Sequence, residues 1–310
     1  MSLSMSKLPL GVVHFMLYPE TMRGDGPVVE TLRTLIEDPD IQFIEITHVE
    51  DDGARREVAE MLRESGKGCA FGAQPCLLSR RLDLNDANPT KRSEAVDAMK
   101  RSVDETVEVG VRAISFLSGK DPGEQYRDEA RERLHRSVRD ICAHARSANP
   151  EMQVFIETFD RVPFGKNALV GPTAEAVEFA RIVRRDFPDF GLLLDLSHLP
   201  LLGESPRQAL TLAKDVLGHA HMGNCVLRKP DHPAYGDEHP PFGIEEGENG
   251  ASELAEYLAE LARIGYLNET SPRPASFEIK PLPGQTSADA LANGKATLTQ
   301  AWRILGWPEE

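Results

Sequence analysis

The chain has few cysteines, and their arrangement does not support a zinc knuckle or a disulfide framework. Its four cysteines form no CxxC pair and have no regular spacing. They are Cys69, Cys76, Cys142 and Cys225. Free thiols without such a framework are typical of a reducing compartment, so we expect a cytoplasmic protein.

Long apolar segments are also missing. The longest apolar runs are only as long as strands, which indicates that no helix crosses a membrane. The N-terminus has neither the charged start nor the apolar run of a secretory signal. We expect residues 1–8 to form a disordered leader, and we expect no membrane partner.

Basic residues are outnumbered by acidic ones. The chain has 35 Lys and Arg against 50 Asp and Glu, a formal net charge of −15. Binding of nucleic acid depends on a basic surface, so we expect no nucleic-acid partner. A local basic groove could still exist on an acidic protein. However, charged runs such as residues 131–133 alternate in sign, as solvated helix faces do.

Strand-like apolar runs alternate with longer helical patterns along the whole chain, which predicts a parallel sheet with crossover helices. Eight such units follow one another without an internal linker. We therefore expect one α/β domain over residues 1–310, a single (β/α)8 TIM barrel, since a typical barrel takes about 250 residues. The first four predicted strands are 10–17, 41–49, 69–78 and 112–117. The predicted helices are 27–37, 54–64, 91–109, 124–148, 173–186, 205–216, 252–264 and 287–305.

Each of the last four predicted strands ends on a side chain that can bind a metal. These residues are Glu157, Asp195, His221 and Glu278. Barrels of this kind build their sites at the carboxyl ends of the strands, so the four side chains can converge on one divalent cation. Three carboxylates and one imidazole suit Mn²⁺, Mg²⁺ or Co²⁺, and Zn²⁺ is also compatible.

The ligand set also indicates a chemistry. Three carboxylates around a dication leave the site near −1, so a sugar phosphate would need Lys or Arg nearby, whereas a neutral ketose would not. The cation would polarise the carbonyl and stabilise an enediolate after the neighbouring C–H loses its proton. Glu157 and Glu278, on the fifth and eighth predicted strands, could serve as acid and base. They could instead be ligands only, and the two roles are compatible.

One connection is unusually long. Residues 222–250 follow the strand that carries His221 and are rich in Gly, Pro, His and Asp. Loops of this length are usually functional or disordered, and this one lies at the active end of the barrel. We expect a lid over the substrate, with a passive insertion as the alternative. His232 and His239 could reach the ligand or a second metal, or could simply be solvated.

Four segments, residues 155–160, 195–199, 219–224 and 277–281, resemble the xylose isomerase-like TIM barrels. They are most similar to the sugar phosphate isomerase/epimerase family, which includes ketose 3-epimerases, and Asp195-x-x-His198 is the most specific motif. The resemblance implies a divalent metal held by the four strand-end residues. It also implies proton exchange by Glu157 and Glu278, contact of His198 with substrate oxygens, and a small carbohydrate-like substrate.

The chain departs from this pattern at one position. Ketose 3-epimerases usually carry a substrate-binding Arg six residues after the histidine ligand, and Leu227 stands there in this sequence. Arg228 is the nearest substitute, which leaves the substrate open.

Four further residues are candidates for the pocket. Lys280 lies two residues beyond Glu278 and could orient a substrate anion or pair with that glutamate. Glu45, a charge inside an apolar strand, could belong to an inward structural network or touch substrate. His14 and Gln74 end early predicted strands and could line the pocket.

We therefore predict a metal-dependent sugar isomerase or epimerase. A dehydratase of an inosose-type ketone would use the same site. An abasic-site endonuclease is disfavoured by the acidic charge and by the shortage of paired histidines before the fifth predicted strand. A non-catalytic sugar-binding barrel would tolerate the loss of a glutamate, but all four ligands are present. The oligomeric state stays open, a homo-oligomer included.

Overall fold

The chain folds as a closed barrel of eight parallel strands in a computed structural model that describes residues 4–161 and 164–309. Each strand pairs with the next, and the eighth pairs with the first. The strands are β1 (Leu10–Val13), β2 (Phe43–Ile46), β3 (Gly68–Gly72), β4 (Ala113–Leu117), β5 (Gln153–Glu157), β6 (Gly191–Asp195), β7 (Leu217–Gly223) and β8 (Ala275–Glu278). The prediction of a single (β/α)8 TIM barrel is confirmed.

Helices surround the barrel and also cover part of its mouth. They are α1 (His14–Leu17), α2 (Val28–Glu37), α3 (Asp52–Ser65), α4 (Gln74–Ser79), α5 (Pro89–Glu108), α6 (Arg127–Ala148), α7 (Thr173–Val183), α8 (His198–Leu202), α9 (Pro206–Ala213), α10 (Ala251–Arg263) and α11 (Ser287–Leu305). Every predicted helix is present, with bounds within three residues at each end. No helix within the described ranges has the length and apolar character needed to cross a bilayer.

Three early strands are shorter than predicted. The run over residues 41–49 forms a strand only over Phe43–Ile46. The run over residues 10–17 becomes β1 and then α1, and the run over 69–78 becomes β3 and then α4. An apolar run does not by itself distinguish a strand from a short buried helix. The sequence pattern therefore did not show where β1 and β3 end and where α1 and α4 begin. His14 and Gln74 consequently begin helices at the barrel mouth instead of ending strands.

The register of the sheet brings the ends of β5 to β8 together. Asp195 is aligned with His221, and Gly223 with Glu278. The residues of β6 and β8 are all buried, because helices cover the outside of the barrel and side chains fill its inside. The carboxyl ends of these strands therefore present their polar side chains at one edge of a rigid core.

The predicted disordered leader at residues 1–8 lies only partly within the described residues. Residues 1–3 lie outside them, and for these the expectation stays a prediction. Met5–Lys7 forms a single 3₁₀ turn, and its first backbone N–H donates to the carbonyl of Pro308 over 3.1 Å. Leu8 is buried in the core and Met5 packs against it, while Ser6 and Lys7 are exposed.

Candidate metal centre

Four buried side chains converge at the carboxyl ends of β5 to β8. Glu157, Asp195, His221 and Glu278 each offer one ligand atom, and these atoms all lie within 4.8 Å of one another. All four residues are buried. The structure thus brings together the four residues that the strand-end pattern predicted as metal ligands.

Two carboxylate oxygens of this cluster have no hydrogen-bond partner. Oε1 of Glu157 and Oδ2 of Asp195 are buried and accept no hydrogen bond from any described residue. Leaving buried carboxylate oxygens unsatisfied is costly, so such atoms call for an explanation. A divalent cation would satisfy both, and three carboxylates with one imidazole are donors that such cations accept. The residues present therefore fit a divalent metal ion.

Glu45 on β2 holds the histidine ligand from behind. Its carboxylate oxygens lie 3.0 Å from Nε2 of His221, and one of them lies 2.7 Å from Nε2 of His219. Nδ1 of His221 faces the cluster, 2.6 Å from Oε2 of Glu278. A carboxylate behind a metal-ligating imidazole orients the ring and raises its basicity. Two roles were considered for Glu45: a structural hydrogen-bond network inside the barrel and contact with substrate. These contacts favour the structural network.

Charge explains why Glu45 is ionised at this depth. Burial alone would raise the pKa of its carboxyl, but its electrostatic interactions and hydrogen bonds with His219 and His221 hold that pKa well below its usual range. For His221, burial would lower the pKa, but Glu45 and Glu278 raise it well above the ordinary value. The imidazole is therefore held between two carboxylates.

Gln74, the first residue of α4, fixes the position of the first glutamate. Its side-chain amide donates to Oε2 of Glu157 over 2.7 Å and to Oγ of Ser115 over 3.1 Å. The remaining oxygen of Glu157 is the partnerless one. Gln74 also lines the cavity above the cluster, as predicted from the sequence.

The long loop after β7 contributes a second buried group. Oδ1 of Asp237 lies 2.9 Å from Nε2 of His198 and 2.7 Å from Nε2 of His239. The other nitrogen of His198 donates to the carbonyl of Thr158 over 2.7 Å. Burial would raise the pKa of Asp237, but the charges of His198, His239 and Lys166 lower it well below the usual value. The loop is thus anchored inside the site, while its predicted motion as a lid stays a prediction.

His239 is held in an unusual backbone conformation. Its φ angle is +50°, in the left-handed region that residues other than glycine seldom adopt. A buried side chain held in this way must be fixed by its surroundings, and such strain often occurs at functional sites. Asp195, His198 and His239 also form a cluster whose ligand atoms lie within 4.8 Å of one another, so they too could hold a cation.

The two glutamates differ in their surroundings. Burial, reinforced by the negative charge of Glu278, raises the pKa of Glu157. Burial would also raise the pKa of Glu278, but the positive charges of His239 and His221 outweigh it and lower that pKa. A pair of carboxyl groups whose surroundings separate their pKa values is typical of an acid and a base.

A cavity of about 380 Å³ opens above the four-residue cluster. Gln74, His239 and Lys280, all predicted as substrate-binding residues, line it together with Glu157 and Glu278. The ammonium group of Lys280 bonds Oε2 of Glu238 over 2.7 Å, so it pairs with the loop and not with Glu278. The volume suits a small molecule.

Three predicted substrate-binding residues lie elsewhere. The side chain of Arg228 is 77% exposed and bonds Glu248, away from the cavity lining. His14 is buried against α2, where its Nε2 lies 2.8 Å from Oγ1 of Thr31. His198 is fully buried, and its two nitrogens bond Thr158 and Asp237, so it positions the loop without lining the cavity.

Several residues of the site were not predicted from the sequence. Asp237, Lys166 and Phe159 line the cavity, and Phe15 and Met22 reach it from the segment after β1. The pair Asp237-x-His239 could have been found, since two metal-ligating residue types two positions apart in a loop after a ligand strand are unusual. The apolar residues carried no comparable signal.

A family model described as xylose isomerase-like TIM barrel matches residues 34–292. The chain belongs to the xylose isomerase-like TIM barrel family. The match spans most of the chain, including all four residues of the metal cluster. Among proteins with curated descriptions, no match was found.

Solved structures share the fold of this chain at low sequence identity. A D-tagatose 3-epimerase-like protein superposes with a TM-score of 0.72 at 14% identity, over 96% of this chain and 98% of its own. D-psicose 3-epimerase from Clostridium cellulolyticum H10 gives 0.64 at 17%, over 96% and 97%. The IOLI protein "with a binding zinc atom" gives 0.70 at 15%, over 96% and 99%. At these identities the likeness establishes the fold alone.

Proposed function

We propose that the protein is a divalent-metal-dependent isomerase or epimerase that acts on a sugar or sugar-like ketose. One observation carries the proposal above the others. Four buried ligands, two of them with a partnerless carboxylate oxygen, form the floor of a closed-barrel site beneath a cavity of about 380 Å³. The similarity to 3-epimerase structures supports the same class of reaction.

Glu157, Asp195, His221 and Glu278 would hold the metal. When bound there, a divalent cation would polarise the carbonyl of the ketose and offset the negative charge that develops on its oxygen. Asp195 is held by the backbone N–H of Ser197, which donates to its Oδ1 over 2.7 Å. This bond leaves Oδ2, the buried oxygen without a partner, directed at the cluster.

Glu157 and Glu278 would move the substrate proton. They end β5 and β8, so they approach the cavity from different strands of the barrel. Each has one oxygen held by a neighbour, Gln74 for Glu157 and His221 for Glu278. Carboxyl groups fixed in this way can remove a proton from one face of a carbon and return it to the other, or to the neighbouring carbon.

The same site supports other outcomes that begin with the same proton transfer. A dehydratase of an inosose-type ketone would lose water after the C–H bond breaks. An endonuclease-like barrel would act on nucleic acid, for which the net charge of −15 is unfavourable. A sugar-binding barrel without catalysis would bind the ketose and exchange nothing. A homo-oligomer stays a prediction.

Solvent exchange tests the proposal. Metal-loaded protein is incubated in D₂O with ketoses, inosose-like ketones and hydroxypyruvate, and the products are followed by NMR. We expect deuterium to enter a carbon-bound position of at least one ketose without loss of water. Loss of water would assign the dehydratase instead. Absence of exchange with every compound, in protein shown to contain metal, would contradict both enzyme assignments.

A further inference from the structure

We infer that the substrate has two unlike ends: a polar ketose end at the candidate metal ligands and an uncharged apolar substituent, alkyl or aryl, at the apolar wall of the same cavity. This inference rests on the proposed function and adds the class of substrate.

The apolar wall borders the four-residue cluster at the mouth of the barrel. It is formed by side chains that follow β1, β3 and β5, whereas the ligands end β5 to β8. In the closed barrel β1 pairs with β8, which ends on Glu278, and Phe159 follows Glu157 by two residues. A molecule bound at the cluster therefore lies next to this wall. The wall consists of Phe15, Met16, Met22, Pro75, Leu78 and Phe159.

A glycine makes the wall continuous with the metal centre. A Cβ at Gly72 would lie 2.7 Å from the ring of Phe15 and 3.1 Å from the side-chain oxygen of Gln74. Only glycine therefore lets the Phe15 ring lie at the end of β3, beside the amide that holds Glu157. Because these groups are adjacent, an apolar substituent on the substrate would meet the wall close to the reacting carbons.

The outer part of the wall is exposed. Leu78, on α4, is 42% exposed and lines the cavity. Exposed apolar side chains at the rim of a cavity are typical of a surface that a ligand covers. A substituent that covers Leu78 would gain about fourfold in affinity for each methylene that it buries. A free sugar, with a hydroxyl on each carbon, would leave this wall unused.

The charges of the cavity do not favour a phosphate. Lys166 and Lys280 line it, but each faces a carboxylate of the loop: Lys166 lies 3.5 Å from Asp237, and Lys280 lies 2.7 Å from Glu238. Among the described residues that line the cavity, Arg23 is the one cation without a hydrogen bond or ion pair. Phosphate sites normally combine several charged donors. We therefore assign an uncharged substituent.

Three ligands that differ at one position test the assignment. The benzyl ether, the methyl ether and the phosphate ester of one ketohexose, each at the hydroxyl farthest from the carbonyl, block the same oxygen and differ only in the added group. Binding to metal-loaded protein is measured by calorimetry. We expect the benzyl ether to bind at least about 10-fold more tightly than the methyl ether, and the phosphate to bind more weakly than either.

A matched pair of variants locates the effect. Leu78→Ser should reduce the advantage of the benzyl ether several-fold and leave the binding of the methyl ether unchanged. Leu212→Ser, which changes a leucine of α9 that is 46% exposed and does not line the cavity, should leave both ligands unaffected. An equal loss in the two variants would contradict the assignment of the wall.

The outcomes separate this inference from the proposed function. Equal affinities for the two ethers, or tighter binding of the phosphate, would overturn the inference, and solvent exchange of the methyl ether would still support the function. Tight binding of the benzyl ether without any exchange would support the inference and contradict the function. Failure of all three ligands to bind would overturn the inference.

Discussion

Replacing Glu45 by Gln should weaken metal binding although the residue does not touch the metal. Glu45 is 1% exposed, and its two oxygens each lie 3.0 Å from Nε2 of His221. The replacement keeps the shape of the side chain and removes its charge. His221 then loses the carboxylate that orients its ring and makes its other nitrogen a stronger ligand.

The expected magnitude follows from the kind of bond that is lost. A hydrogen bond to a charged group contributes about 1.5–3 kcal/mol, which corresponds to a factor of about 10–150 in an equilibrium constant. Partners of metal-ligating histidines change metal affinity by about 10–100-fold when they are replaced. Both figures predict a fall in affinity of one to two orders of magnitude for Glu45→Gln.

Competition against a chromophoric chelator measures this affinity directly. Glu178→Gln, an exposed glutamate of α7, is the matched control and should bind metal as the unaltered protein does. Circular dichroism and thermal unfolding establish that each variant is folded. A folded Glu45→Gln protein with unchanged metal affinity would refute the role assigned to Glu45.

Three further predictions concern the metal, the loop and pH. Elemental analysis of protein purified without chelator should find one divalent metal per chain and much less in Asp195→Ala; equal contents would contradict the ligand assignment. Limited proteolysis should show that a bound ketose protects residues 222–250, and unchanged cleavage would argue against a lid. Burial lowers the pKa of His14 from 6.5 to about 4. Between these values the unfolded chain binds a proton that the folded protein does not, so this contribution to the free energy of unfolding is present above pH 6.5 and decreases by about 1.4 kcal/mol per unit as the pH falls toward 4. Denaturant titrations at several pH values between 4 and 6.5 give the free energy of unfolding at each pH. This free energy should change less steeply with pH for His14→Gln than for the unaltered protein, and equal steepness would contradict the lowered pKa of His14.

The fold could be predicted from the sequence because eight strands and eight long helices alternate with clear apolar periods. The convergence of the four candidate metal ligands could be predicted for the same reason. A strand that ends on Glu157 or Asp195 brings its last side chain to the mouth of any parallel barrel, so strand order alone is enough to bring such residues together.

The rest of the site depends on tertiary contacts that no local pattern encodes. His14 and Gln74 occupy similar positions after apolar strands, yet one is turned toward α2 and the other toward Glu157. Arg228 was expected in the cavity by its position along the chain, but the loop turns it outward to Glu248. The contact of Asp237 with His198 joins residues 39 positions apart, which the sequence pattern could not anticipate.

Solvent exchange by Glu278→Gln tests the central claim most directly. The variant keeps the shape of the side chain but cannot accept the substrate proton. With full metal occupancy confirmed by elemental analysis, and on a ketose that the unaltered protein exchanges in D₂O, NMR should show exchange reduced by about 10²–10⁴-fold. Unchanged exchange in the fully metal-loaded variant would contradict proton transfer by Glu278, and with it the proposed mechanism.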